Sequence, residues 1–177
     1  ARIWMTVGKW QLVQPGSKLN QFDLLSGAYH DEVLSAASRR GIYVMLSFVN
    51  HRDLINSDMW GEAPWPKSPY NAANGGPATR PTDFFTDPRA RAAFKNYLRY
   101  IVGRYGAYRS MAAWELFNEQ EFANCGPQVD WNREMSDYMK SIDPYKHLVS
   151  TSCHNLPPEL WSLPNIDLTQ AHYYGDD

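Results

Sequence analysis

A chain of 177 residues is long enough to bury one core of ordinary size. Its formal charge of −2 gives no reason to expect a polyanionic partner such as nucleic acid, and no apolar run reaches the length of a membrane span. The aromatic fraction of 14% is high, which either buried side chains or flat ligand-stacking platforms explain.

Residues 1 to 7 read as a strand. Ala1 opens directly into Ile3-Trp4-Met5 with no signal-peptide pattern, so the chain is expected to begin inside a structural element. A loop containing Pro15-Gly16 covers residues 8 to 27. His30 to Arg40 is expected to be helical, with Val33, Leu34 and Ala37 on one face and Gly41 just past the end. Ile42 to Val49 is a continuous β-prone run, the pattern of a parallel strand buried on both faces. Residues 50 to 86 are rich in Pro, Gly and Asn, and a structureless segment of that length is usually functional. Its Trp60, Trp65, Tyr70, Asn71 and Asn74 are candidate contacts to a sugar.

Asp87 is placed to cap a helix that starts with Pro88. Phe94, Tyr97, Leu98, Ile101, Val102 and Tyr105 form its core-facing stripe, and Gly106 ends it. Met111 to Phe117 is the next strand, and Asp130 to Ile142 a further helix with Trp131, Met135, Tyr138, Met139 and Ile142 on its apolar face. His147 to Ser152 is a short strand, Leu160-Trp161 a brief helical turn, and Ile166 to Ala171 a final strand. This alternation predicts a single parallel α/β domain over residues 1–177.

The strand ends carry the chemistry. They read Asn50-His51, Asn118-Glu119, Ser152-Cys153-His154 and His172-Tyr173-Tyr174, and in a (β/α)8 barrel such ends build the active site. An amide and a carboxylic acid side by side suit sugar-bond hydrolysis, where one carboxyl group protonates the leaving oxygen and an amide holds a hydroxyl. Cys125 and Cys153 have no metal-ligand spacing, and are either free thiols or one disulfide of the kind found in secreted proteins.

Over nearly its whole length the chain resembles the clan A glycoside hydrolases, and most of all glycoside hydrolase family 5, the cellulase and β-mannanase family. The resemblance rests on Ala1-Arg2-Ile3-Trp4 as second barrel strand, Gly41 to Leu46 as third, Trp114-Glu115-Leu116-Phe117-Asn118-Glu119 as fourth and Ala171-His172-Tyr173-Tyr174 as sixth. Ser68-Pro69-Tyr70-Asn71, Asn74-Gly75-Gly76-Pro77 and Asp83 to Pro88 are similar to the third loop of the β-mannanase-like members. The resemblance implies that Glu119 is the general acid/base and that Asn118 binds a sugar 2-hydroxyl. It implies that Arg2 orients a nucleophilic carboxylate, that Tyr174 donates its hydroxyl to that carboxylate, and that His51 and His172 line the site. Glu115, inside its strand, is expected to be ion-paired or barrel-interior, Glu121 solvated, and His147 structural.

The family's nucleophile is a second Glu at the end of the seventh strand, whereas this sequence stops at Asp177, just after the sixth. The expectation is therefore a partial (β/α)8 TIM barrel of about five of the eight βα units, not closable by this chain alone, with open sheet edges that invite self-association. Asp176 and Asp177 are weak stand-ins for the missing carboxylate. The expected activity is retaining hydrolysis of a β-1,4-linked mannan or glucan, by a secreted or periplasmic protein without cofactor or metal. Two other readings remain: a non-catalytic carbohydrate-binding fragment, and a metal-dependent hydrolase using His51, Asp53, His154 and His172.

Overall fold

Five short apolar runs pair in the order in which the chain makes them. The structure is a computed structural model that describes residues 1–55, 64–123, 128–154 and 158–175. Its strands are β1 (Arg2–Trp4), β2 (Val44–Ser47), β3 (Met111–Glu115), β4 (Leu148–Cys153) and β5 (Leu168–Ala171). Every neighbouring pair is parallel, and the sheet order is β1-β2-β3-β4-β5. Parallel neighbours need crossover connections. Helices α1 (Leu24–Arg39), α2 (Asp83–Thr86), α3 (Pro88–Tyr105), α4 (Val129–Ile142) and α5 (Pro158–Trp161) lie in these crossovers. The fold is thus α/β, a partial barrel in which β1 and β5 each pair on one side only among the described residues. No helix among those residues is long and apolar enough to cross a membrane.

The helix stripes sit where the periodicity puts them. Asp87 caps α3 by accepting the N–H of Arg89 at 2.7 Å, and its whole stripe from Phe94 to Tyr105 is buried. On α4, Trp131, Met135 and Met139 are buried, while Tyr138 and Ile142 pack partly buried against the core. Trp131 is the hub between helices and sheet, with ring centroids 5.1 Å from Phe94, 5.3 Å from Phe85, 5.7 Å from Phe84 and 6.3 Å from Phe117.

Two expectations need correction. Helix α1 begins at Leu24, not His30, because Asp23 caps it by accepting the Ser26 N–H at 2.6 Å. Gly27 looks like a loop residue in sequence but is a packing residue inside that helix. A Cβ there would stand 2.8 Å from the guanidinium carbon of Arg104. The second correction concerns residues 50 to 86. Single 3-10 turns form at His51–Leu54, Trp65–Lys67 and Ala72–Asn74, before α2. Asn71 and Asn74 spend their amides on local carbonyls: Asn71 Nδ2 donates to Trp65 O at 3.1 Å and Asn74 Nδ2 to Pro66 O at 2.8 Å. Tyr70 packs on Phe84, with centroids 4.8 Å apart. Trp65 is only 3% exposed. Those residues fold the loop, and Trp65 keeps no face for a ligand.

Trp131→Ala should cost about 3–5 kcal/mol in urea unfolding, as for other buried Trp truncations. Trp131→Phe should cost clearly less, since the buried indole N–H has no hydrogen-bond partner among the described residues to lose. Equal losses for the two variants would contradict this packing account.

Candidate active site

Beyond the end of β3 the chain stays extended. Leu116 N donates to Ser150 O at 2.8 Å, Asn118 N to Val49 O at 2.8 Å, and His51 N to Asn118 O at 3.1 Å. Glu119 breaks the run. Its φ of +55° lies in the left-handed region, which side chains other than Gly, Asn and Asp seldom enter. Its N–H is shared by the carbonyl and hydroxyl oxygens of Ser152, each 3.1 Å away. Such backbone persists only where the surroundings hold it. Here the fully buried Gln120 does so: Nε2 donates to Thr151 Oγ1 at 2.7 Å and Asn132 Oδ1 at 3.2 Å, and Oε1 accepts from Asn132 Nδ2 at 2.9 Å. The turn is thereby tied to β4 and α4.

The Glu119 carboxylate is 5% exposed and ringed by hydrogen-bond donors. Oε1 accepts from the Tyr174 hydroxyl and faces His172 Nδ1 at 2.7 Å. Oε2 accepts from Asn118 Nδ2 at 3.3 Å and lies 3.4 Å from His51 Nδ1. Burial pushes this carboxyl pKa up, but the bonds from Tyr174 and His172 and the charges of His172 and His51 outweigh it. The group is held below its usual value and is ionised. The same bond pushes the Tyr174 hydroxyl up to about 12, and burial pushes His51 down.

Beneath it lies a second carboxylate. Glu115 is wholly buried, and Arg2 clasps it with Nε 2.7 Å from Oε2 and Nη2 2.6 Å from Oε1. Nη2 also donates to Asn118 Oδ1 at 2.5 Å. A guanidinium has only donors. Asn118 must therefore turn its oxygen to Arg2 and its NH2 to Glu119.

Arg2, His51, Asn118, Glu119, His172 and Tyr174 thus come together. Two contacts differ from those the resemblance implies. The carboxylate held by Arg2 is Glu115, and the carboxylate taking the Tyr174 hydroxyl is Glu119 itself. Glu121 is not solvated, since one carboxylate oxygen accepts the His154 main-chain N–H and the other is buried near the Cys153 thiol. His147 pairs with Asp143 at 2.9 Å, beside Trp114. Asp53 caps the turn that carries His51, its Oδ2 accepting the Asn50 N–H at 2.8 Å, and no cluster of metal-ligand side chains forms among the described residues. Cys153 is a buried free thiol. Trp60, Cys125, Asp176 and Asp177 lie outside the described residues.

Sequence reasoning missed Gln120 and Phe122, and placed Ser152 and His154 at a strand end without giving either a part in the sugar site. Polar residues in a polar stretch give no periodic signal of burial. Phe122 could have been found: it is an aromatic residue in a mostly polar stretch, three positions after Glu119.

The sequence pattern of the cellulase family, glycosyl hydrolase family 5, matches residues 2–174. The chain belongs to this family. It is similar to mannan endo-1,4-beta-mannosidase A of Aspergillus aculeatus, 35% identical over 68% of this chain and 29% of the relative. It is also similar to the probable mannan endo-1,4-beta-mannosidase A of Aspergillus clavatus, 34% identical over 82% of this chain and 43% of the relative. The chain therefore spans less than half the length of these relatives. In fold it is similar to endo-glycoceramidase II from Rhodococcus sp., with a TM-score of 0.53 and 17% identity over 81% of this chain and 39% of that one.

Arg2→Ala should cost about 2–4 kcal/mol, below the full loss for a buried pair because the Arg2 side chain keeps 27% exposure. Arg2→Ala with Glu115→Gln should recover at least half of that in denaturant titrations, since no buried charge is then left unpaired. Because the Glu119 pKa is depressed, its stabilisation is complete above the usual carboxyl value of 4.5 and is lost as pH falls through the lower folded value. The stability gap between the wild type and Glu119→Gln should accordingly shrink between about pH 5 and pH 2. A gap that widens on acidification would contradict the assignment.

Proposed function

We propose that this chain carries the acid/base half of a retaining β-glycosidase site, with Glu119 as acid/base, acting on β-1,4-linked mannan. The observation behind this reading is the aimed pair: Asn118 Nδ2 and the Glu119 carboxylate face one another at the end of β3, beside His172 and Tyr174. Family membership and the mannan endo-1,4-beta-mannosidase relatives support the reaction class and the polymer. Glu119 would protonate the leaving oxygen and then deprotonate the attacking water, while Asn118 holds the 2-hydroxyl. A retaining path needs a second carboxylate about 5 Å away. The direct partners of the Glu119 carboxylate among the described residues are Tyr174, His172, His51 and Asn118, and this reading takes the nucleophilic carboxylate to be one that the described residues do not supply.

That second carboxylate would also correct the acidity of the first. Next to a like charge, a carboxyl pKa rises. The newcomer would compete for the Tyr174 hydroxyl, removing one of the bonds that now keep Glu119 ionised. Arg2, His51 and His172 then serve as positioning groups. The polymer is too large to cross a membrane, so the place of action is the exterior or the periplasm.

The ionised state of Glu119 favours a second reading, sugar binding without hydrolysis. Incubation with β-mannan and β-glucan, followed by assays of reducing ends and of retention on immobilised polymer, separates the two. Under the first reading mannan is cut when formate or azide is added as an external nucleophile in place of the second carboxylate, and Glu119→Ala abolishes that cutting by at least 100-fold while retention persists. Retention without cutting even in the presence of the external nucleophile leaves only the second reading. Absence of both overturns both.

A further inference from the structure

We infer that Phe122 is the platform on which a pyranose ring next to the scissile bond stacks; the inference rests on the reading of this site as a carbohydrate site. Phe122 follows Glu119 by one 3-10 turn, its N–H donating to Glu119 O at 3.1 Å. The ring stands between two imidazoles. His51 lies 5.3 Å away at 61°, and His154 6.3 Å away at 31°. His154 in turn stacks on Tyr174 at 5.6 Å and 25°. These rings form a collar around the Glu119 carboxylate, since His51 and Tyr174 both reach it.

Within that collar Phe122 has no polar atom to contribute. It is 43% exposed, whereas Trp114 and Phe117 on the same segment are fully buried. An exposed Phe elsewhere on a surface would be ordinary. This one is fixed edge-on to an imidazole, beside the proposed acid/base, with much of its area open to solvent. Trp65, the described member of the Trp pair expected to stack on sugar, is buried in its own loop. A β-linked mannose or glucose turns one face of axial C–H groups outward, and such a face matches the negative face of an aromatic ring. The hydroxyls around the ring's rim would meet the imidazoles. A flat apolar patch ringed by a few oriented polar groups is the usual make-up of a small-molecule site.

The test is binding of mannotetraose and cellotetraose by the intact chain, compared with Phe122→Ala, Phe122→Leu and Phe122→Trp, by calorimetry and by saturation-transfer NMR. Half-exposed side chains tolerate substitution, and matching circular dichroism and melting curves will show that each variant is folded. Phe122→Ala should weaken binding about tenfold, Phe122→Leu by several-fold, and Phe122→Trp should match or exceed the wild type. Saturation of aromatic protons should reach the sugar's C–H protons in the wild type and fall sharply in Phe122→Leu. If the wild type binds and Phe122→Ala binds equally well, the stacking role is wrong while the carbohydrate site stands. If Phe122→Leu equals the wild type in affinity and in transfer, apolar bulk rather than a ring face is at work, and the inference also falls. If the wild type binds neither sugar, the carbohydrate reading itself fails and takes the platform with it.

Discussion

The buried Glu115 carboxylate and its clasp by Arg2 set the geometry on which the site depends. An unpaired carboxylate at zero exposure would be strongly destabilising, so β1 has to bring its guanidinium across to β3. The sheet places β2 between them. One donor left over from that pairing fixes the Asn118 amide, and the amide's far end addresses Glu119. A charge that must be neutralised inside the protein thus orients a neutral, equally buried side chain beside the Glu119 carboxylate. The direction of every bond follows from guanidinium having no acceptor.

A second constraint comes from the helical layer. Trp131 of α4 packs against Phe117, two positions before Glu119, while Asn132 on the same helix bonds Gln120, one position after it. The acid pair is therefore gripped on both sides by one helix, apolar before and polar after. Core packing and the geometry of the candidate site are here the same set of contacts, and a loosening of α4 would be felt at the carboxylate.

The strands and long helices were legible because burial on a regular element writes a period into the sequence. The α3 stripe from Phe94 to Tyr105 and the β-prone run around Val44 to Ser47 show it directly. Glu119, Asn118, His172 and Tyr174 could be gathered because strand ends of a parallel barrel converge. What stayed hidden depends on contacts distant in sequence. Nothing near Gly27 announces Arg104, and nothing near Glu115 announces Arg2. Nor does Asn71 or Asn74 say whether its amide will face a ligand or a neighbouring carbonyl; here both face carbonyls.

The left-handed backbone of Glu119 has a consequence of its own. A sequence chosen only to fold would place Gly or Asn at that position, where either gives up less than a long carboxylic acid does. The chain instead keeps a residue that resists its own conformation and recruits Gln120, Asn132 and Ser152 to hold it there. The mismatch between side chain and backbone is a cost that these three residues offset, so a change to any of them is also a change to the aim of the carboxylate.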